Sequence, residues 1–342
     1  MRRVGLVGYG AAAQGFHAPM IAGAGMDLAA VSTSAPERAA LVARDRPRAL
    51  VVPDFDALLE VRGLELIVIA SPSGVHAEQA QRALEAGIPV VVDKPLAVDA
   101  PRALAVVDRA LALGVPLTVF QNRRYDPEFC TMRRLVADGV LGTLYRAELR
   151  WERWRPVPKE RWRERVGPGD GGGLLLDLHT HLLDQAVQLF GPVESVYAEM
   201  QSRTTLAEDD AFLSCRHTSG MLSHVGAMSV SAAPGPRVRL LGSEAAWVLG
   251  AATGETTAFT EFTNADDRHH GWLVRGEHRE PVAAAPGDAV DFYRAVDAAL
   301  GAPDPQGAMP VDPRDAVHVL AVIDAARVSA RGHRVCEVVT PG

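Results

Sequence analysis

Val4-Gly5-Leu6-Val7-Gly8-Tyr9-Gly10-Ala11-Ala12-Ala13 is the stretch of sequence that decides the fold. An apolar run ends directly in a turn of the pattern GxGxxG/A, with Ala13 at the last position. In this pattern the first glycine makes a tight turn, the second lets the backbone approach a pyrophosphate, and a small third residue lets the next helix pack closely. The stretch therefore predicts a dinucleotide-binding turn with the phosphates at a helix N-terminus.

The first 120 residues alternate short apolar runs with helical patterns. This alternation is typical of βαβ units, so residues 1–120 are predicted to form a Rossmann domain, a doubly wound parallel sheet of the α/β class. Two helical patterns, Val75–Ala86 and Ala100–Leu113, are each followed by a glycine, which favours a helix end there. The predicted strands are Val4–Val7, Leu28–Ser32, Leu50–Val52, Leu66–Ala70, Val90–Val92 and Leu117–Phe120.

After Gln121 the pattern changes, and residues 121–342 are predicted to form a second, α+β domain. Strand-like runs with short turns fill the region from Val193 to Leu249, which is typical of a large, mostly antiparallel sheet. The other predicted elements are a strand at Leu144–Trp154 and helices at Pro127–Asp138, Asp288–Leu300 and Pro313–Ala330.

Composition excludes several classes of protein. The formal net charge of −7 gives no general attraction to nucleic acid. No apolar run approaches the ~20 residues of a membrane span, and no signal peptide is visible. The three cysteines, an odd number set far apart, fit neither a disulfide framework nor a zinc motif. We expect free, buried thiols in a cytoplasmic protein with no membrane or nucleic-acid partner.

The end of the second predicted strand bears on the choice of dinucleotide. NAD enzymes usually carry an acid there to hold the ribose hydroxyls, whereas this strand ends in Ser32-Thr33-Ser34 with Arg38 nearby. Hydroxyls and a guanidinium suit a 2′-phosphate, so NADP is favoured over NAD, which stays possible. An alternative is that Ser34 and Glu37 form a capping box for the next helix.

Two further predicted strands end in polar residues. The fourth ends in Ser71-Pro72-Ser73-Gly74-Val75-His76 and the fifth in Asp93-Lys94-Pro95. Ligands bind at the carboxyl ends of strands in open α/β sheets, so both segments are expected at the cofactor site. Lys94 is one of two lysines among 35 basic residues. Lysine, unlike arginine, can lose its proton in a suitable site, which makes Lys94 a candidate for chemistry.

A third segment, Gly171-Gly172-Gly173, precedes a predicted helix carrying Asp177, His181 and Asp184. The i, i+4, i+7 spacing places these three on one helix face. Histidine titrates near neutrality and suits acid–base chemistry. The alternative interpretation is the solvated side of an amphipathic helix. His179 is a second candidate imidazole, but it lies about 200° round the helix from His181, so the two should not share a face and His181 is preferred. A metal site built from Asp177, His179 and His181 is not expected.

In this order the segments resemble the Gfo/Idh/MocA oxidoreductase family: the glycine turn, a PxxxH segment, an (E/D)KP segment and a DxxxH helix. The resemblance covers essentially the whole chain and implies a nicotinamide-dependent enzyme. Further segments are similar to the NADP-linked scyllo-inositol dehydrogenase branch. They are Asn122-Arg123-Arg124-Tyr125-Asp126, Trp154-Arg155-Pro156, Trp162-Arg163 and His181-Leu182-Leu183-Asp184-Gln185.

The resemblance implies roles for individual residues. Lys94 and His181 would act at the reacting hydroxyl or carbonyl, and Asp177 would contact the substrate. Cofactor binding would involve Gly8, Tyr9, Gly10, Ala11, Ala12, Ala13, Ser32, Thr33, Ser34, Arg38, Ser71, Pro72, His76, Asp93, Lys94 and Asn122. Substrate binding would involve Arg124, Tyr125, Trp154, Arg155, Trp162, Arg163, Asp177 and His181.

The expected function is hydride transfer between NADP and a CH–OH carbon of a cyclic polyol or sugar. The tryptophans and arginines of residues 148–165 are then expected to form a rim that orients a polyol. The alternative is that this segment is an exposed edge strand in an oligomer interface. A mixture of aromatic and basic residues can also indicate nucleic-acid binding, but the intervening glutamates argue against it. Two other functions stay open, a dinucleotide-binding regulator without turnover and an aldose or anhydrosugar reductase. The family resemblance also implies oligomerisation through the second domain, as a homodimer or homotetramer.

Overall fold

The computed structural model describes residues 1–250, 257 and 259–341, and these divide into two compact units. Unit 1 comprises Met1–Asn122 and Asp288–Val317; unit 2 comprises Arg123–Gly287 and His318–Pro341. The division differs from the predicted domains 1–120 and 121–342 because Asp288–Val317 groups with the N-terminal sheet. The functional assignment of the two predicted domains stays a prediction.

Fifteen strands and ten α-helices are present in the described residues. The strands are β1 (Arg3–Val7), β2 (Asp27–Ser32), β3 (Leu50–Val52), β4 (Leu66–Ile69), β5 (Val90–Asp93), β6 (Leu117–Phe120), β7 (Leu144–Glu152), β8 (Val193–Gln201), β9 (Asp210–His217), β10 (Leu222–Met228), β11 (Val238–Gly242), β12 (Ala246–Leu249), β13 (His269–Arg275), β14 (His278–Ala283) and β15 (Cys336–Glu337). The helices are α1 (Ala18–Gly23), α2 (Pro36–Asp45), α3 (Phe55–Leu59), α4 (His76–Glu85), α5 (Ala100–Leu113), α6 (Pro127–Ala137), α7 (Trp162–Arg165), α8 (Thr180–Phe190), α9 (Val290–Leu300) and α10 (Pro313–Gly332).

Unit 1 contains a six-stranded sheet of order β3-β2-β1-β4-β5-β6, in which every pairing is parallel. The strand order reverses between β1 and β4, which is where ligands bind in doubly wound sheets. All residues of β4, β5 and β6 are buried, as expected for a parallel sheet covered on both faces. The predicted α/β class is confirmed.

Local signals account for several helix ends in unit 1. Asp54 and Asp99 accept backbone N–H bonds as N-caps of α3 and α5, which satisfies otherwise unpaired donors. Gly114 ends α5 with φ of 66°, a conformation that glycine adopts without strain. Helix α9 joins this unit through Phe292, whose ring lies 5.0 Å from that of Phe120.

Unit 2 contains a nine-stranded sheet of order β14-β13-β12-β11-β7-β10-β9-β8-β15. Its pairings are antiparallel except for the parallel pair β7 and β10, so the predicted mostly antiparallel sheet is confirmed. Alternate residues of β9 are buried, which gives the sheet one apolar face. Helix α8 and the turn Leu175–His179 contact β10.

The three cysteines are free, but only Cys215 is buried. The expectation that all three are buried is wrong, because Cys130 and Cys336 lie at partly exposed positions. No helix in the described part of the chain is long and apolar enough to cross a membrane.

Candidate active site

The glycine turn after β1 has the geometry that a pyrophosphate site needs. Gly8 has φ of 85°, its N–H donates to Ser32 O at 2.9 Å, and a Cβ there would lie 3.0 Å from Ala70 O. A Cβ on Gly10 would meet nothing within 4 Å, so the missing side chain leaves open space beside the backbone. This turn and the π-helical turn Ala13–His17 that follows it therefore fit a dinucleotide.

The link between β2 and α2 leaves its polar side chains available. Helix α2 begins at Pro36 with Ala35 as its N-cap and no side-chain cap, so the alternative capping box of Ser34 and Glu37 is wrong. Ser34 and Arg38 are exposed. Ser32 is buried and Thr33 Oγ1 accepts a long bond from Ala35 N at 3.4 Å. Among these predicted ligands, Ser34 and Arg38 are thus the most accessible.

The segments after β4 and β5 are joined by His76. Its Nδ1 lies 2.8 Å from Pro95 O and its Nε2 lies 2.8 Å from Ser71 O, and the ring is buried. The Lys94–Pro95 peptide bond is cis, and Lys94 is 8% exposed. His76 therefore fixes the two strand-end segments to one another within unit 1. Asn122, which follows β6, is half-buried at the same edge of the sheet.

Asp93 is a buried carboxylate at the end of β5. Its Oδ1 accepts from the backbone N of Lys94 at 2.8 Å, and its Oδ2 lies 3.7 Å from His17 Nε2. Burial by itself raises the pKa of Asp93, but His17, then Lys94 and His76, more than offset this and hold the pKa well below its usual range. Asp93 is therefore ionised at neutral pH.

In unit 2 the triple glycine is required where the Asp177 helix begins. Gly173 has φ of 93°, and a Cβ there would lie 2.1 Å from Glu208 Oε1. That same oxygen accepts from Leu175 N at 3.1 Å and so satisfies a donor at the start of the helix. The helix opens as a π-helical turn, Leu175–His179, before α8.

The structure separates the two imidazoles of this helix. His179 is fully buried, its Nδ1 lies 3.3 Å from Leu174 O, and burial lowers its pKa to about 4, although nearby carbonyls of Val225 and Ala211 partly oppose this. His179 is therefore neutral at pH 7 and faces the sheet. His181 is 7% exposed, and its ring centroid lies 6.4 Å from that of Trp151. Among the described residues, no group of three or more His, Cys, Asp or Glu side chains is arranged to hold a metal ion.

Trp151 is the aromatic residue beside His181. The sequence predicted it as one of the tryptophans of the 148–165 rim, but not among the individual substrate residues. It is 8% exposed, whereas Trp154, the predicted substrate residue, is 55% exposed. Guanidinium groups lie 4.3 to 5.0 Å from its ring centroid, a cation–π distance. They belong to Arg123, Arg153 and Arg237. Strand alternation could have found Trp151, because it shares the buried parity of Ala147 and Leu149 on β7.

Three predicted substrate residues, Arg155, Arg163 and Asp177, line one pocket of unit 2. Arg163 Nε lies 3.7 Å from Asp177 Oδ1, and its guanidinium lies 4.7 Å from the ring centroid of Trp162. The other lining residues are Arg153, Pro158, Lys159, Arg161, Glu164, Gly173, Leu174, Thr204, Thr205, Glu208, Asp209 and Ser229. Most of the lining residues have polar or charged side chains, which can hydrogen-bond a hydroxylated ligand.

Arg124, another predicted substrate residue, forms a bidentate pair inside unit 2. Its Nη2 and Nε donate to Asp184 at 2.6 and 2.8 Å, and the carboxylate is 3% exposed. A buried pair of this geometry fixes α8 to residues 123–125 of the same unit. Tyr125, the remaining predicted residue, is half-buried in that segment. Substrate contact by Arg124 and Tyr125 stays a prediction.

Sequence models of known families match both parts of the chain. An oxidoreductase family with an NAD-binding Rossmann fold matches residues 2–121, and the Gfo/Idh/MocA C-terminal domain matches residues 129–248. The chain belongs to the Gfo/Idh/MocA oxidoreductase family. The predicted family and the prediction of an oxidoreductase are thereby confirmed, and the first match agrees with a nicotinamide cofactor.

Individual relatives extend the match to nearly full length. The chain is 35% identical to the uncharacterised oxidoreductase YdgJ of Escherichia coli, covering 97% of each protein. It is 28% identical to scyllo-inositol 2-dehydrogenase (NADP(+)) IolW of Bacillus subtilis, covering 97% of this chain and 94% of that protein. The solved structure of YPO2259 from Yersinia pestis is 31% identical, with a TM-score of 0.85 over 100% of this chain and 98% of that one.

Proposed function

We propose that this chain is an NADP-preferring dehydrogenase or reductase that transfers hydride between the nicotinamide and a hydroxyl or carbonyl carbon of a cyclic polyol or sugar. The observation that carries the proposal is the position of Lys94. It stands at the carboxyl end of β5, on the sheet edge that bears the glycine turn of β1. Parallel strands place their carboxyl ends together, so the lysine is at the cofactor edge of unit 1.

The proposed chemistry follows from the residue types. The cofactor supplies the hydride acceptor or donor. Oxidation of an alcohol also needs a base for the hydroxyl proton, and we assign this role to His181. We assign to Lys94 a hydrogen bond to the same oxygen, which stabilises developing negative charge. Asp177 orients a substrate hydroxyl. The neutral, sheet-facing His179 supports the choice of His181.

The proposed preference for NADP rests on the link between β2 and α2. This link offers the exposed Ser34 and Arg38, and its first acid, Glu37, lies inside α2. A guanidinium pairs well with a phosphate, and an acid close to a 2′-phosphate would repel it. The name of IolW, which specifies NADP, supports the same choice. We also propose a cytoplasmic homodimer or homotetramer that binds neither nucleic acid nor membrane.

The test is a kinetic panel with NADP and NAD, followed by absorbance of the reduced nicotinamide. We expect turnover of an inositol or sugar, with a higher kcat/KM for NADP than for NAD. Removing the Arg38 contact in Arg38→Ala should lower this ratio by about 10-fold or more, since a hydrogen bond to a charged group contributes about 1.5 to 3 kcal/mol. Arg48→Ala is the matched control, because Arg48 is an exposed arginine before the amino end of β3.

Two results would contradict the proposal. Tight cofactor binding without turnover across a broad panel of polyols and sugars would favour a dinucleotide-binding regulator. A ratio of kcat/KM for NADP over NAD below one would reverse the cofactor preference while leaving the reaction class intact.

A further inference from the structure

Three polar side chains form a buried cluster beneath the end of β5. His17 and Tyr293 have no solvent exposure, and Asp93 is 7% exposed. We call these three residues the His17 cluster. Buried polar groups are costly unless they are partnered, so the contacts within the cluster offset a real desolvation penalty. Neither His17 nor Tyr293 has a role in the reaction proposed above.

The two ring nitrogens of His17 face the other two members of the cluster. His17 Nε2 faces Asp93 Oδ2 at 3.7 Å, an ion-pair distance that is longer than a hydrogen bond. His17 Nδ1 and the Tyr293 hydroxyl lie 2.6 Å apart, a hydrogen-bond distance. Burial, then the charge of Asp93, raises the pKa of Tyr293 well above its usual value, so the hydroxyl keeps its proton.

Asp93 connects this cluster to Lys94. One carboxylate oxygen accepts from the Lys94 backbone N at 2.8 Å, and the other faces His17. Rotation of the carboxylate would disturb both contacts together. The Asp93 carboxylate, which holds the backbone N–H of Lys94, is therefore restrained on its other side by the His17 ring. The orientation of that ring depends in turn on Tyr293.

Aromatic packing makes the restraint rigid. The His17 ring centroid lies 4.2 Å from that of Phe120, which lies 5.7 Å from that of Tyr293. His17 is the last residue of the π-helical turn that follows the glycine motif, and Tyr293 lies on α9. Because His17 and Tyr293 have no solvent exposure and are packed against Phe120, the geometry of the cluster suits holding a group in place.

We propose that His17 and Tyr293 are positioning residues for Lys94: Tyr293 orients His17, His17 restrains Asp93, and Asp93 holds the backbone at Lys94. The consequence for catalysis rests on the proposed role of Lys94. The restraint of the Lys94 backbone by the cluster does not rest on that role, and it can be measured in the absence of turnover. It also connects the helix of the cofactor turn to the end of β5.

The test uses the scarcity of lysine. Protein labelled with ¹³C and ¹⁵N in lysine gives signals from Lys94 and Lys159 alone, so the Lys94 ¹³Cε shift can be followed through a pH titration. We expect Tyr293→Phe, which removes one hydroxyl, and His17→Gln to move the Lys94 signal or its titration midpoint. His217→Gln is the matched control: His217 is equally buried, with ring contacts of 2.7 and 2.8 Å, but lies in unit 2.

A kinetic measurement adds a second readout on the best substrate of the panel. We expect kcat of Tyr293→Phe to fall by about 10-fold to 100-fold, since small misplacements of a reacting group are costly, while the Kd for NADP stays unchanged. An unchanged Lys94 signal in both folded variants, or an equal change in His217→Gln, would overturn the proposal. Loss of folding in both variants would also overturn it. A shifted Lys94 signal with no turnover in wild-type protein would sink the proposed function and leave the positioning role intact.

Discussion

At the scale of the residue, charge and burial assign different tasks to chemically similar side chains. His179 and His181 are two positions apart, yet the first faces the sheet with a lowered pKa and the second lies beside Trp151. Helical geometry separates the two imidazoles, and desolvation then keeps the inner one neutral. A histidine in a motif thus indicates that acid–base chemistry is available, while burial and neighbouring groups decide which of the two histidines can exchange a proton.

His179 should make stability depend on pH. Its pKa is lowered from 6.5 to about 4 in the folded protein, so between these values the unfolded chain binds more protons. This contribution to stability is complete above pH 6.5 and is lost as the pH falls toward 4. From pH 7 to pH 5 we expect wild-type protein to lose roughly 2 kcal/mol of unfolding free energy through this group.

Urea unfolding of wild-type protein and His179→Gln across this range isolates the effect, because other titrating groups are common to both. The variant should show a flatter pH dependence than wild-type protein. Parallel pH profiles for the two proteins would show that His179 titrates normally in the folded state.

At the scale of the element, the two functional helices begin in a similar way. Each follows a glycine segment and opens with a π-helical turn, Ala13–His17 in unit 1 and Leu175–His179 in unit 2. Such turns change the direction of side chains relative to a regular α-helix and are frequent at functional sites. The candidate residues thus lie at or just after π-helical turns, and the glycines before these turns allow the backbone to pack closely.

Gly173→Ala tests whether that close packing positions Asp177. The new Cβ would collide with the Glu208 carboxylate and would hold a φ that alanine adopts only with strain. We expect a loss of about 1 to 3 kcal/mol in unfolding free energy, together with reduced kcat.

The matched control is Gly169→Ala, because a Cβ at Gly169 meets nothing within 4 Å and its φ is not positive. Urea unfolding and steady-state kinetics of the two variants give the comparison. Equal behaviour of the two alanine variants would argue that Gly173 is not needed for packing.

At the scale of the whole molecule, the nine-stranded sheet of unit 2 is a candidate for self-association. Its outward face carries Phe212, which is 39% exposed and lies 5.7 Å from the ring of His224. Burying an exposed aromatic ring between two subunits favours association, because it removes apolar surface from contact with water. Phe212 therefore offers a position at which the proposed homo-oligomer can be tested.

Phe212→Glu is expected to shift the protein toward monomer in sedimentation velocity, since a carboxylate buried without a partner is costly. Leu111→Glu is the control: Leu111 is 49% exposed on α5, in the other unit. A wild-type monomer, or an unchanged oligomer in Phe212→Glu, would contradict this use of the sheet face.

The sequence alone predicted the features that depend on local pattern. The glycine turn, the six parallel strands, the ends of α5 and the strand-end position of Lys94 follow from hydrophobic period and turn chemistry, which act over a few residues. The parallel sheet also follows, because alternating strands and helices leave few other ways to bury both faces. These local signals were sufficient for the fold class and the family.

The tertiary structure decided which distant side chains meet. His17 and Tyr293 are 276 positions apart, and no local pattern links them. Trp151 on β7 lies beside His181 on α8, and α9 returns to the N-terminal unit. Such pairings arise from the path of the whole chain, where burial forces each polar group to find a partner. The sequence thus placed Lys94 at the sheet edge, and only the tertiary structure supplied the cluster that restrains it.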